Sequence, residues 1–169
     1  MKTLLLALIP AIACADPTYY ASPQGGTYNA GTVYRLVDHR PQVIYEFCSQ
    51  AQCVDGMTPL ANLIPMADGS LVGATTAGGK GGGGVVFRLY PPASDQDGMW
   101  EEEVVTEICT YYNDCTRFGT PSGSLTLVDD DVVQGMNQGD GGEKGVRWKA
   151  QLAPRWGKGT WAPLQYWTK

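Results

Sequence analysis

Gly31-Thr32-Val33-Tyr34-Arg35-Leu36 returns further along the chain as Gly84-Val85-Val86-Phe87-Arg88-Leu89, residue 31 falling on residue 84 at an offset of 53. Reading this hexapeptide decides the fold class. It opens on glycine and continues in β-branched and aromatic residues, the side chains that fit a pleated, half-buried surface. Val33 and Leu36 bracket an aromatic, as on a strand with two different faces. The same offset carries Ala21-Ser22-Pro23-Gln24-Gly25-Gly26 onto Ala74-Thr75-Thr76-Ala77-Gly78-Gly79.

Working outward, an offset of 61 carries Val43-Ile44-Tyr45-Glu46-Phe47-Cys48 onto Val104-Val105-Thr106-Glu107-Ile108-Cys109, and Gly84-Val85-Val86-Phe87-Arg88 onto Gly145-Val146-Arg147-Trp148-Lys149. An offset of 62 joins Pro59 to Pro121, Leu63 to Leu125, Asp68 to Asp130 and Gly73 to Gly135. Ordered matches at such a period, with turn residues between short apolar runs, predict repeated antiparallel sheets. Within one copy the strands read as Thr32–Leu36, Gln42–Phe47, Ala61–Met66 and Leu71–Thr76. Pro65 marks an edge or strand end, and Asp68-Gly69 signals a hairpin. No stretch carries a helical period. The expectation is an all-β fold of antiparallel four-stranded repeats, propeller-like, with about three units or an open stack. Full units span 31–83 and 84–144, and partial units span 16–30 and 145–169. The N-terminal strand is expected to complete the sheet begun at the C-terminus.

These residues resemble a known family. Gly31–Leu36, Tyr45-Glu46-Phe47, Asp55-Gly56-Met57-Thr58-Pro59-Leu60-Ala61-Asn62-Leu63 and Asp68–Gly79 look like the bacterial tandem repeat called GloVer, found in exported proteins with varied C-terminal anchors. The likeness runs from Thr18 to about Leu89 and is degenerate beyond it. It implies a propeller-like β-repeat and no catalytic residues. The paired cysteines are an addition to the bare repeat, and a C-terminal anchor of the family's kind is not expected here.

Composition narrows the function classes. Of 169 residues, 43% are hydrophobic and 17% charged, enough apolar material for a core and too much for wholesale disorder. The 22 glycines and 11 prolines point to many turns. Net charge is −5 with no basic stripe, which argues against nucleic acid and anionic membrane surfaces as partners. Residues 1–15 read as an export signal. Lys2 supplies the positive end, Leu4–Ile12 the apolar run, and Ala13-Cys14-Ala15 the small-x-small cleavage pattern before Asp16. That run is too short to cross a bilayer, and no transmembrane segment is expected. Lipidation at Cys14 is the alternative reading. The expected location is secreted, extracellular or periplasmic.

Four cysteines remain after Cys14, and four permit three connectivities. Local pairing, Cys48–Cys53 and Cys109–Cys115, is favoured because both pairs fall at the same place in the repeat. A zinc site is the competing reading; its spacing is looser than Cys-x-x-Cys, and exported chains favour disulfides.

Other residues have bland and sharp readings. His39, the only histidine, reads as a solvated turn residue, since triads and zinc sites need a histidine placed by partners. Glu101-Glu102-Glu103 and Asp129-Asp130-Asp131 read as solvated edge or turn charges, because neighbours on a strand point to opposite faces. The sharp alternatives are a glycosidase pair and, with Asn137, Asp140 and Glu143, a calcium site. The Gly79–Gly84 run lacks the ending and helix of a phosphate loop. Trp148, Trp156, Trp161, Tyr166 and Trp167 cluster near the C-terminus as candidate binding or assembly aromatics, with core packing the alternative.

The sequence therefore predicts an exported, non-enzymatic protein with no cofactor and no bound metal. Its role is structural, through homo-oligomer or filament formation at open sheet edges. The alternative is a carbohydrate- or cell-surface-binding module built on the C-terminal aromatics; a glycoside hydrolase ranks third.

Overall fold

The computed structural model of the chain describes residues 18–93, 98–109, 119–138, 146–152 and 165–167. The expected signal segment, with Cys14, lies outside them. Twelve strands occur among the described residues: β1 (Tyr19–Ser22), β2 (Thr32–Val37), β3 (Arg40–Glu46), β4 (Met57–Pro59), β5 (Ile64–Pro65), β6 (Leu71–Ala77), β7 (Val85–Tyr90), β8 (Glu101–Glu107), β9 (Pro121–Asp129), β10 (Val132–Asn137), β11 (Val146–Gln151) and β12 (Gln165–Trp167). The fold is all-β, with one 3-10 turn among the described residues, at Ala51–Cys53. No described helix is long and apolar enough to cross a membrane.

All strand pairs are antiparallel and form three open sheets. The first runs β1-β2-β3, the second β4-β6-β7-β8 with β5 also on β6, and the third β9-β10-β11-β12. Within each sheet most neighbours are consecutive in the chain, the arrangement that short loops favour, except that β4 and β5 both pair with β6. One expectation is corrected here. The N-terminal strand does not complete a sheet begun at the C-terminus: β1 pairs with β2, and β12 pairs with β11. The sheets also run across the boundaries expected at residues 84 and 145, because β6 pairs with β7 and β10 with β11.

Local chemistry accounts for the hairpins. Asp38 and His39 both have positive φ, 50° and 64°, the backbone of the two-residue turn whose twist suits a hairpin. His39 is thus a turn residue. Pro65 lies in the edge strand β5, where its missing N–H costs no ladder bond.

The registers of the sheets correspond. Ala21 faces Val33 and Tyr20 faces Tyr34 in the first, while Ala74 faces Val86 and Gly73 faces Phe87 in the second. In the third, Gly135 faces Trp148. A bulge falls between Val33 and Tyr34 against β3 and between Val86 and Phe87 against β8. The extra residues opposite these steps, Ile44 and Val105, are both buried.

Two apolar layers separate the sheets. Between the first and second lie Val33, Ile44, Tyr45 and Phe47 against Leu71, Val85, Phe87, Leu89 and Trp100. Between the second and third lie Val72, Ala74, Val86, Val105 and Ile108 against Leu125, Val133, Trp148, Ala150 and Leu152. The central strand β7 is covered on both faces and is buried along its whole length; its one charged residue, Arg88, is paired with Asp68 at 2.8 Å.

Candidate functional site

Beyond β3 the chain leaves the first sheet through a loop tied by the Cys48–Cys53 disulfide. Asp55 closes this loop from inside. It is fully buried, and its Oδ2 accepts from Ser49 N at 2.9 Å, Ser49 Oγ at 3.0 Å and the Tyr45 hydroxyl at 3.0 Å. A buried carboxylate is tolerated only when donors converge on it, and here three do. Its other oxygen, Oδ1, has no hydrogen-bond partner among the described residues. Cys109 is also a disulfide cysteine; its expected partner Cys115 lies outside the described residues.

Glu102 on β8 reaches toward the same region. Gln50 Nε2 donates to its Oε2 at 3.3 Å, while Oε1 is buried without a partner. Burial, then the charge of Asp55, pushes the Glu102 carboxyl up to about 8. It therefore holds its proton at neutral pH, because two carboxylates in one poorly solvated space do not both ionise. Burial likewise raises the Tyr45 hydroxyl well above the ordinary phenol value. This corrects the reading of Glu101–Glu103 as solvated charges. Alternation leaves Glu101 exposed but turns Glu102 inward, and Glu103 accepts from the Tyr90 hydroxyl at 2.8 Å. The three-residue run hid this, since the sequence does not say what covers each face of β8. The Gln50–Glu102 bond ties the disulfide loop to β8.

The expected aromatic site divides. Trp148 is a correction: it is fully buried in the second apolar layer, and its Nε1–H donates to Asn137 Oδ1 at 2.7 Å. Asn137 donates in turn to Gly119 O at 3.3 Å. Asn137 therefore serves the core and is not turned toward a cation. Trp156 and Trp161 lie outside the described residues. Tyr166 and Trp167 sit on β12, in register with Trp148 and Arg147 respectively. Of the acidic run, Asp129 accepts from Asp130 N and Asp131 from Gln151 Nε2, so it serves the β9–β10 turn; Asp140 and Glu143 lie outside the described residues. In the glycine-rich loop, Lys80 N donates to Glu107 Oε2 at 2.9 Å, and no phosphate cradle is needed to explain it.

The first sheet has one face without a cover among the described residues. Tyr20 and Tyr34 stack there, ring centroids 5.5 Å apart. Tyr20 is 38% exposed, Leu36 41% and Val43 41%. The equivalent register positions in the second sheet, Gly73, Phe87, Leu89 and Val104, all lie against the first sheet's inner face. Contiguous exposed apolar area of this kind marks a contact surface. Sequence reasoning missed it: Tyr34 and Phe87 look alike, and only the stacking order of the sheets separates them.

Comparison with known proteins finds no matching family model, no matching curated protein and no matching solved structure.

Proposed function

We propose that this is an exported, non-enzymatic β-repeat protein whose role is structural self-assembly, built from propeller-like units of which the described chain carries three. The observation that carries the reading is the recurrence of one register, Ala21–Val33, Ala74–Val86 and their bulged partners, in a stack left open at its first sheet. That sheet has three strands, and β1 pairs with β2 alone among the described strands. Each of the other two sheets places a strand beside the equivalent of β1, β5 on β6 and β9 on β10. An open edge and an uncovered apolar face both template association. The Cys48–Cys53 disulfide and the signal-like residues 1–15 support export. The likeness to the GloVer tandem repeat agrees with this and supplies no chemistry.

Light scattering across a wide concentration range tests the proposal. The mass is expected to rise with concentration to a multiple of the single chain. A single-chain mass at all concentrations overturns it. A second reading, a glycan- or surface-binding module, draws on Tyr166 and Trp167 in the edge strand β12. Glycan binding abolished by Trp167→Ala in a particle of unchanged mass would favour it.

A further inference from the structure

We propose that two copies of this chain join head to tail, the outer face of the first sheet in each packing on the outer face of the third sheet in the other, to close a ring of six sheets. The inference rests on the self-assembly reading and deepens it by naming the partner, the two faces and the number of copies.

The chain's own packing says what covers such a face. Each sheet presents one face at the level of Phe87 and an opposite face at the level of Val86. The Phe87 face of the second sheet is covered by Val33, Ile44 and Phe47 of the first. The Trp148 face of the third, at the matching register, is covered by Val72, Ala74 and Val86 of the second. Both internal junctions thus follow one rule: a Phe87-type face meets a Val86-type face. At the ends of the stack one of each is left without a cover among the described residues: the Tyr20–Tyr34–Leu36–Val43 face of the first sheet and the face of the third opposite Trp148.

The third sheet's leftover face is mixed, with Gln134 and Lys149 beside Met136 and Arg147, and the last two suit the tyrosine face. On the third sheet, strand alternation puts Met136 and Arg147 opposite in direction to Gly135 and Trp148, and these two residues are register partners. Met136 is 44% exposed, and Trp167 stands next in register to Arg147. Methionine and an arginine stem are apolar and adaptable, and a guanidinium is attracted to a tyrosine ring. The chain already uses that contact, with Arg88 5.0 Å from the centre of the Tyr90 ring. The stacked Tyr20–Tyr34 pair offers two such rings.

The count of sheets points to two copies. Closed radial arrays of four-stranded sheets hold about four to eight of them. Three are too few, and two chains supply six. Joined by a two-fold axis, both junctions are identical, and the assembly stops there instead of growing as a filament.

The test is the mass of the purified chain by light scattering and sedimentation, with Leu36→Glu and Met136→Glu as variants. Both positions are exposed, and an unchanged β-sheet circular dichroism spectrum and unfolding transition check folding in each. The expected result is a two-chain mass, with each variant weakening association more than about tenfold. Mixing the two variants restores association, because one junction of the mixed pair carries neither substitution. A single-chain mass for the unsubstituted protein overturns this inference together with the self-assembly reading. Association that survives both variants overturns the ring and leaves assembly through sheet edges standing. Association lost with Leu36→Glu but kept with Met136→Glu overturns the head-to-tail arrangement in favour of two first sheets packed back to back.

Discussion

Phe87 on β7 lies across Gly73, its register partner on β6, so closely that a β-carbon added at residue 73 would collide with the ring. Trp148 lies across Gly135 in the same way on the third sheet. A ring folded over a bare backbone packs closely in the layer between sheets. In the first sheet the glycine is replaced by Tyr20, and the rings of Tyr20 and Tyr34 stand side by side instead. The difference tracks the environment: the glycine–ring pairs face a neighbouring sheet, and the tyrosine pair faces none among the described residues.

Gly73→Ala and Gly135→Ala are each expected to destabilise the chain by about 1–3 kcal/mol, because the ring must leave its place in a packed layer. Denaturant midpoints measure this. Tyr20→Ala, on the uncovered face, is expected to cost less than either. Equal losses at all three positions would contradict the layer assignment.

The proton on Glu102 makes stability fall with rising pH. Its carboxyl titrates near 8 in the folded chain against an ordinary 4.5. Between those values the folded chain holds a proton that the unfolded chain has released, so each rise in pH favours unfolding. Stability is greatest below about 4.5 for this group and is lost as pH passes through 8. Glu107, also raised by burial, acts in the same direction. Asp68 acts oppositely at low pH: burial alone would raise it, but the Ser70 hydroxyl and amide and then Arg88 hold it down. The expected result is a lower denaturant midpoint at pH 8.5 than at pH 5.5, with the slope reduced in Glu102→Gln. A level profile in the unsubstituted chain would disprove the assignment.

Trp148→Phe removes the donor to Asn137 Oδ1 while keeping most of the ring, and leaves a buried acceptor unpaired. The expected loss is about 1–3 kcal/mol. Asn137→Ala, which orphans the indole N–H instead, should cost a similar amount, and the double variant less than the sum. Urea titration of the three variants checks this; strict additivity would speak against a direct bond.

The Cys48–Cys53 bridge closes a short loop and is expected to contribute about 2 kcal/mol in the chain-entropy model. Replacing both residues by serine should lower the unfolding free energy by that amount, read as a lower denaturant midpoint at unchanged slope. Asp55→Asn should act on the same loop, because it weakens the acceptor that holds Ser49 and Tyr45. An unchanged midpoint in the double serine variant would mean that the Asp55 network alone holds the loop.

Much of the fold was legible in short apolar runs, because strand pairing depends on local alternation and on turns such as Asp38-His39. The strand positions at Thr32–Leu36, Leu71–Thr76 and Val85–Leu89 follow from that, as does the edge position of Pro65. The candidate surfaces were less legible. Glu102 reads like its neighbours Glu101 and Glu103, and Trp148 reads like Trp167, since burial is set by what lies across from a face.

From sequence alone came the all-β class, the recurring hexapeptide and the local Cys48–Cys53 pairing, all of which rest on interactions between residues close along the chain. The tertiary structure alone decided which strands share a sheet across residues 84 and 145, which carboxyl keeps its proton, and which of two similar aromatic faces is covered by a neighbouring sheet. Those outcomes depend on how whole sheets stack, and stacking is a contact between distant segments that no short stretch of residues encodes.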